Sequence, residues 1–372
     1  VSAFSPGPFL RLSSHVSGRF AAPRDPVKAA LRLRALLSKR YFDWVIVADD
    51  DLLHALLENG SRNELVPWLP FDPLDEATVA LLTSKHAFAA QAPGHGIPVP
   101  ESVLARSLSE LLGAATLLGY PLVLKGDRGF SGAEVDIVSD EAALRRRAGR
   151  HFERYGAVLV QRYAGTASAA ASVLYHRGRP SAYSAYRTLC GYPNATSAST
   201  VHETFEHPAL DGIVRAVGRA TGFHGLLGID FIHDAASGAL YALEINPRPT
   251  IGFSGTLANR QFFSPFVAEF LADRAGPGTV YAGAERVRVY FPTFLCYLAT
   301  RRGAPDPQNQ QRLGLCLREA RHADWRLAAW ELVRFVRDLV VKRVRLGRRS
   351  IQPSVPPAFL QPNQPAPRGL LP

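Results

Sequence analysis

Two hydrophobic periods alternate along the chain. Short apolar runs at Trp44–Ala48, Pro121–Lys125, Ala157–Tyr163, Ala171–His176 and Ser184–Leu189 predict strands. Apolar positions three and four apart predict helices over Pro26–Arg40, Leu52–Glu58, Leu108–Leu118, Ser139–His151 and Pro208–Gly222. Strand followed by helix, repeated, is the pattern of an α/β and α+β protein. Trp44–Ala48 reads as a buried parallel strand that ends in Asp49-Asp50-Asp51. Those acids either cap the next helix or reach a ligand. Ser84 marks a helix start before Lys85, and Ser107 with Glu110 forms a capping box. Residues 1–25 carry Pro6, Pro8 and Pro23 and read as irregular.

The most informative stretch is 228–248, GIDFIHDAASGALYALEINPR, which reads as a hairpin turning at DAASGA. Alternation along a strand puts Glu244 and Asn246 on one face, with Asp230 on the opposing strand able to face them. Two carboxylates and an amide oxygen are hard ligands of the kind Mg²⁺ takes, with Mn²⁺ as a substitute. Arg248 adds a planar donor fork for phosphate or carboxylate. An ordinary hairpin with solvated carboxylates would share this pattern. Upstream, Lys125 ends a strand and runs into Gly126, Gly129, Ser131 and Gly132. This is a flexible loop whose backbone can approach a phosphate, or else a plain β-turn. It is no Walker loop, since the lysine precedes the glycines.

Composition narrows the picture. The 372 residues are 47% hydrophobic and 20% charged, as in globular proteins of two or three domains. No apolar run is long enough to cross a bilayer, and no basic-then-apolar signal segment opens the chain. The three cysteines are widely spaced, which argues against a disulfide framework or zinc site and fits a cytoplasmic location. A net charge of +11 favours anionic partners, but there is no motif for specific nucleic-acid recognition. The predicted helix over Trp325–Leu346 ends in a basic cluster. It either packs on its own domain or makes a peripheral membrane contact. Phe266–Leu271 has helical spacing, 276–320 has no clear period, and 351–372 is a proline-rich, disordered tail. The chain has no methionine and begins at Val1, which suggests a truncated or alternative start.

In order, these pieces resemble the ATP-grasp superfamily, in particular its carboxylate–amine ligase-like and carbamoyl phosphate synthase large subunit-like members. The resemblance rests on Lys85 at a helix start, IPVPES, Lys125, the glycine loop, Val160-Gln161-Arg162-Tyr163, and Asp230 with Glu244-x-Asn246-Pro-Arg248. It covers roughly residues 80–270. It implies an ATP-grasp fold, two α+β subdomains holding ATP, over 81–275. A partial α/β domain over 1–80 would precede it, and a mostly helical region over 276–350 would follow. Lys85 and Lys125 would neutralise the ATP phosphates, and Gly129, Ser131 and Gly132 would close over them. The backbone of Gln161, Arg162, Tyr163 and Ala164 would meet the adenine edge. Asp230, Glu244 and Asn246 would hold Mg²⁺, and Arg248 and Arg187 would face the transferred phosphoryl group or the acyl substrate. The segment 164–173, AGTASAAASV, departs from the family in having no acid for the ribose.

The implied activity is an ATP- and Mg²⁺-dependent ligase that activates a small-molecule carboxylate as an acyl phosphate and joins it to an amine. The alternatives are a carboxyphosphate-using carboxylase or carbamoyl-transfer enzyme, and a nucleotide-binding protein without catalysis.

Overall fold

The computed structural model describes residues 2–7, 13–58, 75–127, 135–165, 167–191 and 199–253, with shorter pieces up to 337. Strands β1 (Ser2–Ser5) and β2 (Gly18–Ala21) pair in parallel, so the opening segment contains a small sheet where the sequence suggested none. Four-residue strands beside prolines are too short for a period to show. Helix α1 (Pro26–Leu37) is capped by Asp25, whose carboxylate accepts from Lys28 N–H at 2.8 Å.

The expected strand at Trp44–Ala48 does not form: the segment has no regular secondary structure and no ladder partner among the described residues. Val45 and Val47 pack on the main core, Ile46 is exposed, and Trp44 meets the Phe270 ring at a tilt with centroids 4.8 Å apart. Its two sides do find separate apolar clusters, but among the described residues no ladder partner joins them into a strand. Helix α2 (Asp50–Glu58) follows, with Asp49 accepting from Leu52 N–H at 2.8 Å. Helices α3 (Glu76–Thr83) and α4 (Lys85–Gln91) are separated by Ser84 alone, which is extended and caps α4 through Ala87 N–H at 3.0 Å.

A four-stranded antiparallel sheet comes next. It is made of β3 (Ser102–Ala105), β4 (Leu122–Lys125), β5 (Asp136–Val138) and β6 (Val158–Arg162), in the order β3-β6-β4-β5. Helices α5 (Leu108–Leu118) and α6 (Glu141–Tyr155) cover it over a core that includes Leu111, Leu122, Leu144 and Val160. Ser107 caps α5 as expected. Glu110 reaches back to Arg106 N–H at 2.7 Å, one residue beyond the usual partner.

The larger sheet has the order β11-β10-β7-β8-β9-β13. Its strands are β7 (Ala167–His176), β8 (Arg179–Gly191), β9 (Ser199–Thr204), β10 (Gly225–Asp234), β11 (Ala239–Asn246), β12 (Thr279–Val280, beside β8) and β13 (Val287–Val289). Helix α7 (Leu210–Thr221) lays Ile213, Val214 and Val217 against one face of it, over Val173, Leu227, Ile229 and Phe231. The same core takes in Leu33, Leu53, Leu56 and Phe88 from the leading helices, so packing continues without a break across residue 80. Because side chains alternate, the opposite face carries Ser172, Tyr186 and Asp230 and is left for chemistry.

Among the residues after 253, Ala268, Phe270 and Leu271 are helical, and α8 (Thr293–Thr300) and α9 (Pro307–His322) lie in the stretch with no clear period. Apart from isolated positions, the expected helix over 325–346 and the tail over 351–372 lie outside the described residues. No described helix is long and apolar enough to cross a membrane.

Candidate active site

The hairpin forms as the pattern requires. Asp234 starts the turn by accepting from Ala236 N–H at 2.9 Å, and Gly238 takes a φ of 73° that a side chain would strain. This register sets Asp230 directly opposite Glu244 and Gly228 opposite Asn246, just before a bulge at Phe231. Asn246 Nδ2 donates to Asp230 Oδ2 at 3.1 Å. Glu244 is taken by Lys85, Nζ to Oε2 at 2.9 Å.

Two carboxylates this close cannot both ionise freely. Burial, then the neighbouring Glu244, pushes the Asp230 carboxyl well above its ordinary value. Burial pushes Glu244 the same way, but Lys85 and Lys125 outweigh it and hold Glu244 below the usual range. A proton shared beside a second carboxylate is what a divalent cation displaces on binding. The donor set of two carboxylates and an amide oxygen therefore fits Mg²⁺.

Lys125 ends β4 inside the small sheet. Its Nζ donates to Gln161 Oε1 at 3.1 Å, and Gln161 Nε2 donates to Ser102 Oγ at 2.8 Å. Burial pulls the ammonium down to about 8, with Glu244 acting the other way and Lys85 adding to the drop. A buried ammonium whose hydrogen bond among the described residues goes to a neutral amide oxygen, with Glu244, Asp230 and Asp127 nearby, is a group suited to an anion.

The two lysines are tied together by a contact that the sequence did not signal. Asp127, two residues past Lys125, accepts from Ser84 Oγ at 2.9 and 3.0 Å and from His86 N–H at 2.8 Å. Its own carbonyl accepts from Lys85 N–H at 3.3 Å. The strand end carrying Lys125 thus caps the helix start carrying Lys85. Between them, Gly126 lies so close to the Tyr155 ring that a Cβ would fall 2.7 Å from it. Gly129, Ser131 and Gly132 lie outside the described residues.

Arg248 belongs to the cluster too. Its Nε donates to Asp50, and its Nη2 and Nη1 make long contacts to Asn246 Oδ1 at 3.4 Å and Pro249 O at 3.3 Å. Of the acid triplet, then, Asp49 caps the helix and Asp50 reaches the site. A cavity of about 40 Å³ joins Asp50 and His54 to Ser84, Lys85, Glu244 and Asn246.

Arg187 is not brought to this cluster. It pairs in register with Ala169, in the row of Phe231, on the sheet face opposite Asp230, and its guanidinium is held by Glu203. The 161–164 segment sits at the end of β6. Arg162 N–H goes to Glu101 O at 2.8 Å, its side chain to the Glu101 carboxylate, and Tyr163 N–H to Pro121 O at 3.4 Å. Residues 167–173 of the acid-free stretch form β7, where Ala169, Ala171 and Val173 serve the core. Beyond Arg248, Thr250 bonds Ser172 at 3.2 Å and Gly252 packs on Tyr186. His202 lies against Tyr186 at a tilt, ring centroids 4.2 Å apart, and burial drives its pKa down to about 3.

Residues 83–252 match the family model for the ATP-grasp domain. This segment has the ATP-grasp fold. Both lysines, Asp230, Glu244, Asn246 and Arg248 lie inside it, whereas Asp50 comes from the residues before it. No curated protein matches the chain. Solved structures do, and one is N5-carboxyaminoimidazole synthetase from Staphylococcus aureus complexed with ADP. It is 15% identical, with 77% of this chain and 72% of that one covered and a TM-score of 0.58. The biotin carboxylase domain of Hydrogenobacter thermophilus 2-oxoglutarate carboxylase, in complex with MgADP, ADP and bicarbonate, is 17% identical. Coverage is 73% of this chain and 63% of that one, with a TM-score of 0.55. An L-amino acid ligase from Bacillus licheniformis is 18% identical, with 69% and 63% covered and a TM-score of 0.52. At such identities the likeness establishes the fold. The chain spans between 63% and 72% of the length of these three proteins.

Proposed function

We propose that this chain is an ATP- and Mg²⁺-dependent ligase that activates a small carboxylate as an acyl phosphate and joins it to an amine. The observation that supports it most is the facing of Asp230, Glu244 and Asn246 by Lys85 and Lys125. Phosphoryl transfer needs positioned charge more than covalent help from the protein, and this cluster supplies both signs within one space. The relatives in the same fold include an amino acid ligase and a carboxyaminoimidazole synthetase bound to ADP.

In this reading Lys85 and Lys125 hold the phosphates and take up negative charge as the terminal phosphoryl group moves to the carboxylate oxygen. Asp230, Glu244 and Asn246 would hold Mg²⁺ or Mn²⁺, which when bound neutralises phosphate oxygens. Arg248 orients the acyl substrate through its planar fork. The amine then attacks the acyl carbon; the C–N bond forms, the C–O bond breaks, and phosphate leaves with the oxygen. The backbone from Gln161 to Ala164 takes the adenine edge. Arg187 has no part here, since Glu203 holds it on the other face.

The test is ADP release measured over a panel of small carboxylates and amines. Release should require one acid and one amine together, and Lys125→Ala or Glu244→Ala should lower it about a thousandfold or more. Full turnover in either variant contradicts the assignment. The structural neighbour that binds bicarbonate with MgADP supports a second reading, a carboxyphosphate-using carboxylase. Bicarbonate dependence of ADP release separates the two.

A further inference from the structure

We propose that Asp50, from the leading region outside the ATP-grasp domain, is the positioning residue for Arg248, so that the substrate side of the site is complete only with the leading region in place. The inference rests on the ligase reading for what Arg248 binds, but the contact itself stands on geometry. Asp50 and Arg248 are 198 residues apart, and their side chains are 15% and 19% exposed. Asp50 is not needed as a helix cap, because Asp49 already accepts Leu52 N–H. As the first residue of α2, it is held by the helix rather than by a loop.

Among the described residues the guanidinium makes one charge-assisted hydrogen bond, and Asp50 accepts it. Its other two contacts are long and go to neutral oxygens. Asp50 grips Nε, and Nη1 and Nη2, each engaged in one long contact to a neutral oxygen, each keep a second N–H for a carboxylate or phosphoryl oxygen. A planar fork recognises such a group only when its plane is fixed, and a shielded carboxylate at Nε fixes it. The small cavity that Asp50 shares with Glu244 and Asn246 places α2 directly against the metal-ligand set. Asp50 thus acts on substrate through Arg248, not by touching it.

The experiment pairs kinetics with a spectroscopic readout on the full chain. In ¹⁵N-arginine-labelled protein, the Arg248 Nε–H resonance, assigned by its loss in Arg248→Lys, is expected to exchange slowly. It should be lost or averaged in Asp50→Asn and retained in Asp50→Glu. With an acid–amine pair that turns over, Asp50→Asn should raise KM for the carboxylate about tenfold or more, leave KM for ATP within about twofold, and be largely rescued by Asp50→Glu. A resonance unchanged in Asp50→Asn overturns the proposal, and so does an unchanged carboxylate KM. If the wild type turns over no pair in the panel, the ligase reading fails by itself, and the resonance still decides the clamp.

Discussion

Lys125 gives up hydration and, among the described residues, donates to Gln161, and burial brings its pKa down to about 8. Asp230 lies on the other side of the balance, its carboxyl kept protonated into a higher pH range by burial and by Glu244. The two shifts set opposite limbs. Raising the pH removes the Asp230 proton, which metal binding requires; raising it further removes the Lys125 charge, which phosphate binding requires. kcat/KM for MgATP should therefore rise from the acid side and fall above a pH of about 8. Lys125→Arg should move the falling limb upward and leave the rising limb in place; a profile flat from pH 6 to 9, a range of about three units, would count against both assignments. Asp230, Glu244 and Asn246 are legible from the alternation along the hairpin, whereas the two lysines enter through the family resemblance. Asp50 was only half legible. Its triplet looked like a cap, and only the fold brings it to Arg248.

At the level of elements, the helix starts were the clearest. Ser84 and Ser107 announce α4 and α5 because a short polar side chain before an apolar period is a local signal, independent of tertiary contact. The strands were less clear where pairing decides. Trp44–Ala48 has a strand composition but no ladder neighbour among the described residues, and β9, with His202 and Glu203 among its six residues, has a neighbour but no strand-like pattern. Ser84 is the element-scale link between the phosphate lysines, since it caps α4 and donates to Asp127. Ser84→Ala should cost about 1 kcal/mol in denaturant unfolding. It should also weaken ATP binding, because Lys85 stands on the turn that loses its cap. Unchanged stability and ATP affinity together would show that the tie does not set Lys85.

For the whole molecule, the two sheets put the lysine of one against the carboxylates of the other, and the leading helices share a core with the larger sheet. Periodicity predicted the strands and helices, and motif order suggested the family. Neither showed that one continuous core runs from Leu33 to Ile245, because contacts that distant in sequence leave no local pattern. That core is what lets α2 present Asp50 to Arg248. The central claim, passage through an acyl phosphate, is tested most directly by oxygen transfer. With the substrate acid labelled with ¹⁸O in its carboxylate, turnover should deliver one labelled oxygen to each phosphate released. Phosphate that emerges unlabelled while product forms would contradict the account.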